Sequence, residues 1–204
     1  MHQTLASKPL AINCLVCHAH LWLPLPSPHA KRAVRSDGVI LQQPLTKAQC
    51  GICGLVQSMH HLDVSSLAAL YTNNYDIYNN RPASEQFVAG RYAALAKAIT
   101  AAVPFKPNHV LEVGCGNGAT LQAVQACWHD AICIGLEPVI TAVKAAQSQH
   151  LPVHQGMIGV NVPAIIAEQK YDVIYSVHVI EHTENPIAFL HELKAMLEKL
   201  PRLD

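Results

Sequence analysis

From position 109 to position 200 the chain alternates short apolar runs with stretches of helical period, a pattern that predicts strands and helices in succession. His109 to Val113 reads as the first strand, Thr120 to Trp128 as a helix, Ala131 to Leu136 as the second strand and Ile140 to Gln149 as the next helix. Leu151 to His154 gives a short third strand, Asn161 and Pro163 open a short helix, and Tyr171 to Ile180 is a long apolar fourth strand. Asn185 then caps a helix with Pro186 at its first position and Ile187, Leu190, Leu193, Leu197 and Leu200 as its expected buried stripe. Strands joined through helices imply right-handed crossovers, so the fold class is α/β with a doubly wound parallel sheet. Four strands are few for such a sheet, and a run as apolar as the fourth expects a neighbour on each side. One edge is therefore expected to lie bare or to be covered by a partner.

Upstream, Phe87, Val88, Tyr92, Leu95 and Ile99 recur at helical spacing behind Ser84, a capping residue, and Pro104 and Pro107 close that helix. Leu67 to Tyr71 reads as a short helical turn followed by a Tyr- and Asn-rich loop, and Leu55 to Gln57 as a strand. The chain of 204 residues suits one ordinary α/β domain plus a small appendage, and 50% hydrophobic residues are enough to bury a core. Its formal net charge of +0 gives no long-range attraction to nucleic acid or anionic lipid. The start lacks a basic leader and no 18-residue uncharged apolar stretch follows, so a cytoplasmic protein with no membrane partner is expected.

Four of the seven cysteines fall into two pairs, Cys14-x-x-Cys17 and Cys50-x-x-Cys53. Two such knuckles can place four thiolates around one zinc ion, with Gly51 and Gly54 easing the second turn. Disulfides are the alternative, and an intracellular setting argues against them. His18 and His20 lie close enough to replace one cysteine, and four protein ligands would leave no open position for chemistry, so the site reads as structural. Cys115, Cys127 and Cys133 fall in apolar patterns and read as small core residues. A nucleic-acid-binding ribbon is disfavoured, because the Cys14–Cys53 segment carries only Lys31, Arg32, Arg35 and Lys47 as basic residues and no aromatic stacking platform.

The chemistry concentrates in Leu111-Glu112-Val113-Gly114-Cys115-Gly116-Asn117-Gly118, where a strand runs into three alternating glycines and then a helix. Such a loop lets backbone approach a nucleotide-type ligand closely. Ile134-Gly135-Leu136-Glu137 ends a second strand in an acid able to accept both ribose hydroxyls of an adenosine. Gly114-x-Gly116-x-x-Ala119 also satisfies the dinucleotide spacing, so a nicotinamide oxidoreductase is a competing reading. Glu112, two residues before the first glycine, can instead reach an ammonium group, which favours S-adenosylmethionine.

Together with Tyr171-Asp172-Val173-Ile174 and Val179-Ile180-Glu181-His182, these motifs resemble class I S-adenosylmethionine-dependent methyltransferases from about His109 to Leu200. Cys50 to Gln57, Leu70-Tyr71 and the Tyr75-x-x-Tyr78 loop are similar to the subgroup with a zinc-binding domain before the methyltransferase, which includes C-methyltransferases of nucleotide-linked keto-deoxysugars. The resemblance implies a Rossmann-like core. It divides the chain into a zinc-ribbon-like domain at 1–58, a linker or substrate loop at 59–83 and a partial methyltransferase domain at 84–204. It further implies that Glu112, Gly114, Cys115, Gly116 and Gly118 line the methionine and ribose side, and that Glu137 holds the ribose. Gly156 and Met157 would flank the adenine, and Ser176 and His178 would lie beneath the sulfonium. A carbon acceptor beside a ketone needs a base and a donor to its enolate oxygen, roles that fall to His182 and to Tyr75 and Tyr78. Class I enzymes complete a seven-stranded sheet, whereas here the pattern stops after the fourth strand and its helix. The expectation is a methyltransferase acting on a small molecule such as a nucleotide sugar; the alternative is a non-catalytic zinc-bearing interaction protein or truncated remnant.

Overall fold

The computed structural model describes residues 12–26, 31–34, 40–42, 44, 46–59, 69–71 and 85–197. The chain divides into two compact units, Met1–Asp63 and Val64–Asp204, the division falling inside the stretch expected to act as a linker. The expected cap Ser84, Leu67 in the short helical turn, Tyr75, Tyr78 and the stripe residue Leu200 lie outside the described residues. No helix among those described is long and apolar enough to cross a membrane.

The first unit is built from β1 (Trp22–Leu25), β2 (Ala33–Val34), β3 (Ile40–Leu41), β4 (Lys47–Cys50) and β5 (Val56–Ser58). Antiparallel pairing joins β1, β4 and β5 in that order, and β2 pairs with β3. Of these strands only β5 was expected; the long loop between the cysteine pairs supplies the rest. Pro24 concealed β1, yet it is tolerated because β1 is an edge strand, where a missing amide donor need not break a ladder. Along β4, Ala48 and Cys50 are buried, the period of two that a half-covered sheet imposes. The Trp22 indole Nε1 donates to the Ile12 carbonyl at 2.6 Å.

In the second unit, β6 (His109–Val113), β7 (Ile132–Glu137), β8 (Val153–Gln155) and β9 (Val173–Ser176) form a parallel sheet in the order β8-β7-β6-β9. This is the doubly wound arrangement expected. Helices α1 (Glu85–Ala101), α2 (Ala119–Cys127) and α3 (Ile140–Ser148) contribute to one apolar cluster with Ala96, Leu121, Val124 and Val143, joined from the strands by Val110, Cys133, Val153 and Val173. Helices α4 (Ala164–Ala167) and α5 (Pro186–Met196) contribute Ile166, Phe189 and Leu193 to a second cluster with Leu111, Val113 and Leu136. Successive residues of β6 thus enter different clusters, as alternation in a strand covered on both faces requires. Trp128, after α2, packs against the first cluster.

Three expectations are corrected. The fourth strand is four residues long rather than ten, because its pairing with β6 ends at Val113↔Ser176, where β6 turns away into the glycines. Beyond it His178 adopts a left-handed φ of 57° and Ile180–His182 forms a 3-10 turn. The buried stripe of α5 is Phe189 and Leu193, whereas Ile187 is 39% and Leu190 49% exposed and Leu197 lies beyond the helix end. Phe189 and Leu193 are the residues that meet Leu111, Val113 and Leu136, while the helix start is held by Asn185 Oδ1, which accepts from the amides of Ile187 and Ala188 at 3.1 and 3.0 Å. Finally, Cys127 is exposed, so of the three unpaired-motif cysteines only Cys115 and Cys133 are core residues.

Two outcomes follow from this packing. Asn185→Ala should lower unfolding stability by about 1 kcal/mol through loss of the cap. Gly156→Ala should cost about 1–3 kcal/mol, because its new methyl would stand 2.6 Å from the Asn161 carbonyl oxygen and 2.8 Å from both Leu136 and Pro163. Urea denaturation of the ligand-free variants measures both, and a Gly156→Ala protein as stable as the parent would contradict the second.

Candidate functional site

The carboxyl ends of the parallel strands are where a turn can expose backbone to a ligand, and here the turn after β6 is built from glycine. Gly114, Gly116 and Gly118 have φ of 72°, 56° and 80°, in the region that side chains disfavour. A methyl on Gly114 would collide with Val179, and one on Gly118 would stand 2.5 Å from Leu151. The loop is pinned to the neighbouring strand by the Gly114 amide, which donates to the Leu136 carbonyl at 2.8 Å. It then closes through Gly118 N–H to Cys115 O at 2.9 Å before α2 begins.

Two acids meet this loop. Glu137, at the end of β7 and 7% exposed, accepts from the Gly116 amide through Oε2 and from the Val139 amide through Oε1, each at 2.9 Å. Burial raises its pKa, and those two amides oppose the rise. Each oxygen keeps acceptor capacity, so the carboxylate is oriented without being saturated. Glu112, on β6 and 2% exposed, has one side-chain partner, the Tyr175 hydroxyl donating to Oε2 at 3.1 Å. Burial pushes the Glu112 carboxyl up to about 8; the Tyr175 bond lowers it and the Glu137 charge raises it further. Among the described residues no cation contributes to either carboxyl. A pair of buried acids without a counter-cation, beside a glycine cradle, fits a ligand with vicinal hydroxyls and a positive group, as S-adenosylmethionine has.

The other residues expected at the cofactor separate into those near this loop and those with different work. Cys115 lies in the loop, but its side chain packs into the core over Gly135, and burial together with the Glu112 and Glu137 charges holds the thiol protonated. Ser176 ends β9 level with Val113, at the mouth of the turn. Gly156 follows β8 and its amide donates to the Glu137 carbonyl at 3.1 Å, while the Met157 amide donates to Asn161 Oδ1 at 2.9 Å. His178 Nδ1 stands 3.2 Å from Glu181 Oε1, both side chains being solvent-accessible. The His182 ring meets the edge of Tyr71, centroids 6.2 Å apart at 75°. Tyr75 and Tyr78 lie outside the described residues. Sequence reasoning missed Tyr175 and Val179; no local signal marks Tyr175, which only the register of β9 sets opposite Glu112.

In the first unit the sulfurs of Cys14, Cys17, Cys50 and Cys53 lie within 4.8 Å of one another. Cys14 and Cys53 sulfurs are 3.4 Å apart and those of Cys17 and Cys50 3.5 Å, near the edge of roughly 3.8 Å expected for thiolates about 2.3 Å from a common ion. The two knuckles repeat one design. Cys14 N–H donates to Ala19 O and accepts through its carbonyl from His18 N–H, both at 2.9 Å; Cys50 does the same with Leu55 at 2.8 Å and Gly54 at 3.0 Å. His18 and Gly54 both take the left-handed conformation, with φ of 59° and 78°. His18 therefore closes a turn with its backbone, and the cluster assembles from four cysteines without His18 or His20. The Cys53 and Ile52 amides lower the Cys50 pKa, which favours a thiolate.

Residues 87–200 match the family described as "Methyltransferase domain". Ajmaline N-methyltransferase from Rauvolfia serpentina is 26% identical over 155 residues, spanning 63% of this chain and 52% of its own. The plantazolicin methyltransferase BpumL, solved in complex with SAH, is 22% identical and covers 65% of this chain and 53% of its own, with a TM-score of 0.49. CalS10, an amino pentose methyltransferase from Micromonospora echinaspora solved with SAM bound, is 20% identical and covers 59% and 55% of the two chains, with a TM-score of 0.44. The chain thus spans about half the length of these relatives. Because the match runs from α1 through α5 and takes in more than half of the sequence, this chain belongs to the methyltransferase-domain family.

Proposed function

We propose that this chain is the cofactor-binding part of an S-adenosylmethionine-dependent methyltransferase acting on a small molecule, preceded by a structural zinc ribbon. The observation that carries the reading is the pair of buried acids, Glu112 and Glu137, at the carboxyl ends of β6 and β7, with Glu137 bonded to the Gly116 amide of the glycine loop that follows Glu112. Family membership supports it independently. When bound, S-adenosylmethionine supplies an electrophilic methyl carbon on sulfur, open to in-line attack. The chain's own residues then have the tasks of orientation and proton removal. Glu137, already oriented by two amides, accepts the ribose hydroxyls; Gly114, Gly116 and Gly118 admit the backbone close to the ligand; Glu112 faces the ammonium. Gly156 and Met157 border the adenine, and Ser176 lies on the sulfonium side. Around the acceptor, His178 and His182 are the available bases, with Tyr75 and Tyr78 as hydroxyl donors from the substrate loop.

The acceptor class carried by the sequence resemblance is a nucleotide-linked keto-deoxysugar, methylated at carbon. An amine acceptor is the second reading, favoured by the likeness to the ajmaline N-methyltransferase of Rauvolfia serpentina. A neutral amine is itself nucleophilic and needs only to lose a proton, whereas a ketosugar carbon must be deprotonated first.

Calorimetric titration of the zinc-loaded chain with S-adenosylhomocysteine, with NADH as control, tests the cofactor assignment. One saturable site for S-adenosylhomocysteine is expected, weakened about 10-fold or more by Glu137→Ala through loss of charge-assisted hydrogen bonds. Binding of NADH instead would overturn it. For the ribbon, the purified chain should release about one zinc per polypeptide to a chelator. Amide hydrogen exchange should then rise in β1, β4 and β5 and stay low in β6 and β7. A metal-free preparation with unchanged protection in β4 would contradict the structural role.

A further inference from the structure

We infer that Tyr175 is a positioning residue that aims the Glu112 carboxyl at the glycine loop, and that a ligand bringing an ammonium group there ionises Glu112 and sends its proton to solvent. The inference rests on the cofactor reading above and deepens it. Glu112 and Tyr175 are register partners on adjacent parallel strands, β6 and β9, and the phenol donates to Oε2 at 3.1 Å. Both strands are held by backbone ladders, so the hydroxyl stays at a fixed height beside the turn. Among the described residues, Glu137 and Cys133 interact with Glu112 from β7, Cys115 from the loop, Tyr175 from β9 and the Leu121 amide from α2. None of these groups is a cation; Glu137 repels a second negative charge, and the two thiols, pushed up by burial, stay neutral and offer no compensation.

Without a ligand, therefore, the carboxyl keeps its proton up to about pH 8. Tyr175 remains a donor throughout, because burial and the adjacent Glu112 charge push its phenol far above the ordinary value. An opposite charge within a few ångströms typically lowers a carboxyl by about 1–3 units. Arrival of an ammonium at neutral pH thus breaks the carboxyl O–H bond: the proton passes to the buffer, the electron pair stays on oxygen, and a carboxylate–ammonium pair of zero net charge is left in the site. Glu137 serves the ribose end, where the ligand brings hydroxyls and no cation, so a nucleoside lacking the amino-acid portion should bind without this exchange.

The test compares S-adenosylhomocysteine with 5′-methylthioadenosine, which lacks the ammonium, by calorimetry at pH 7 in buffers of different ionisation enthalpy. The expected result at pH 7 is release of about 0.4–0.9 proton with the former, the range that a lowering of about 1–3 units from about 8 gives, and none with the latter. Release should vanish in Glu112→Gln, whose affinity for 5′-methylthioadenosine stays within about twofold, and Tyr175→Phe should weaken S-adenosylhomocysteine about 10-fold while sparing 5′-methylthioadenosine. Binding without proton release, release that persists in Glu112→Gln, or equal weakening of both ligands by Tyr175→Phe would overturn the inference while leaving the cofactor reading intact. Failure of both ligands to bind would bring down the cofactor reading itself. The Tyr175–Glu112 half is also read in the ligand-free chain. A folded carboxyl near 8 against an ordinary value of 4.5 means that the folded state binds more protons across that window, so stability falls as pH rises through it. Glu112→Gln should flatten this slope and Tyr175→Phe, by removing a bond to the ionised form, should extend it to higher pH. Identical pH profiles for parent and both variants would refute the positioning role.

Discussion

Pairing of β6 with a parallel neighbour on each edge, together with apolar cover on both faces, is the constraint from which the second unit follows. Val110 and Leu111 are fully buried and enter opposite clusters, so the strand can shift neither along nor across the sheet without emptying one of them. The contact continues beyond the strand: the amides of Gly114 and Cys115 both reach the Leu136 carbonyl. The glycine turn is thereby fixed to β7 as well as to its own strand. Everything at that end of the sheet, including the start of α2 and the seat of Val179 over Gly114, inherits its position from this one ladder.

Burying β6 on both faces also forces a choice on its one buried polar residue. Glu112 occupies a position whose neighbours on the same face, Val110 and Tyr175, belong to or border the first apolar cluster. A carboxyl there must either be neutral or find charge compensation. Glu137 meets the same difficulty one strand away by a different device, two backbone amides presented by the turns on either side of it. The contrast is between an acid held ready as an acceptor by main chain and one whose charge state depends on what arrives. Both lie at the end of the sheet where the strand pattern opens, which is why a close-packed fold can carry them.

Much of this was legible in the sequence because it is local. β6 was placed to the residue and the neighbouring strand and helices to within one or two, since each shows its own periodicity and is bounded by Gly, Pro or a capping residue. The Asn185-Pro186 start of α5 and the cysteine knuckles are likewise signals written over a few residues. What stayed hidden depends on partners far along the chain. The end of β9 is set by where β6 turns, not by its own apolar run through Ile180. The buried face of α5 is chosen by the surface it meets, which takes Phe189 where the sequence pattern points to Leu190. Tyr175 reads as one more strand aromatic until register sets it beside Glu112, 63 residues away. The short strands of the ribbon carry no extended alternation, and Pro24 argued against the one that lies at an edge.

The two tryptophans fall one in each unit: Trp22 is tied by its indole to Ile12 beside the first knuckle, and Trp128 packs where α2 meets the sheet. The chain is thus born with two intrinsic optical labels. Replacing either one by phenylalanine leaves an emission that reports on the ribbon alone or the sheet alone, so the melting of each half can be followed in the intact polypeptide, free of any attached dye.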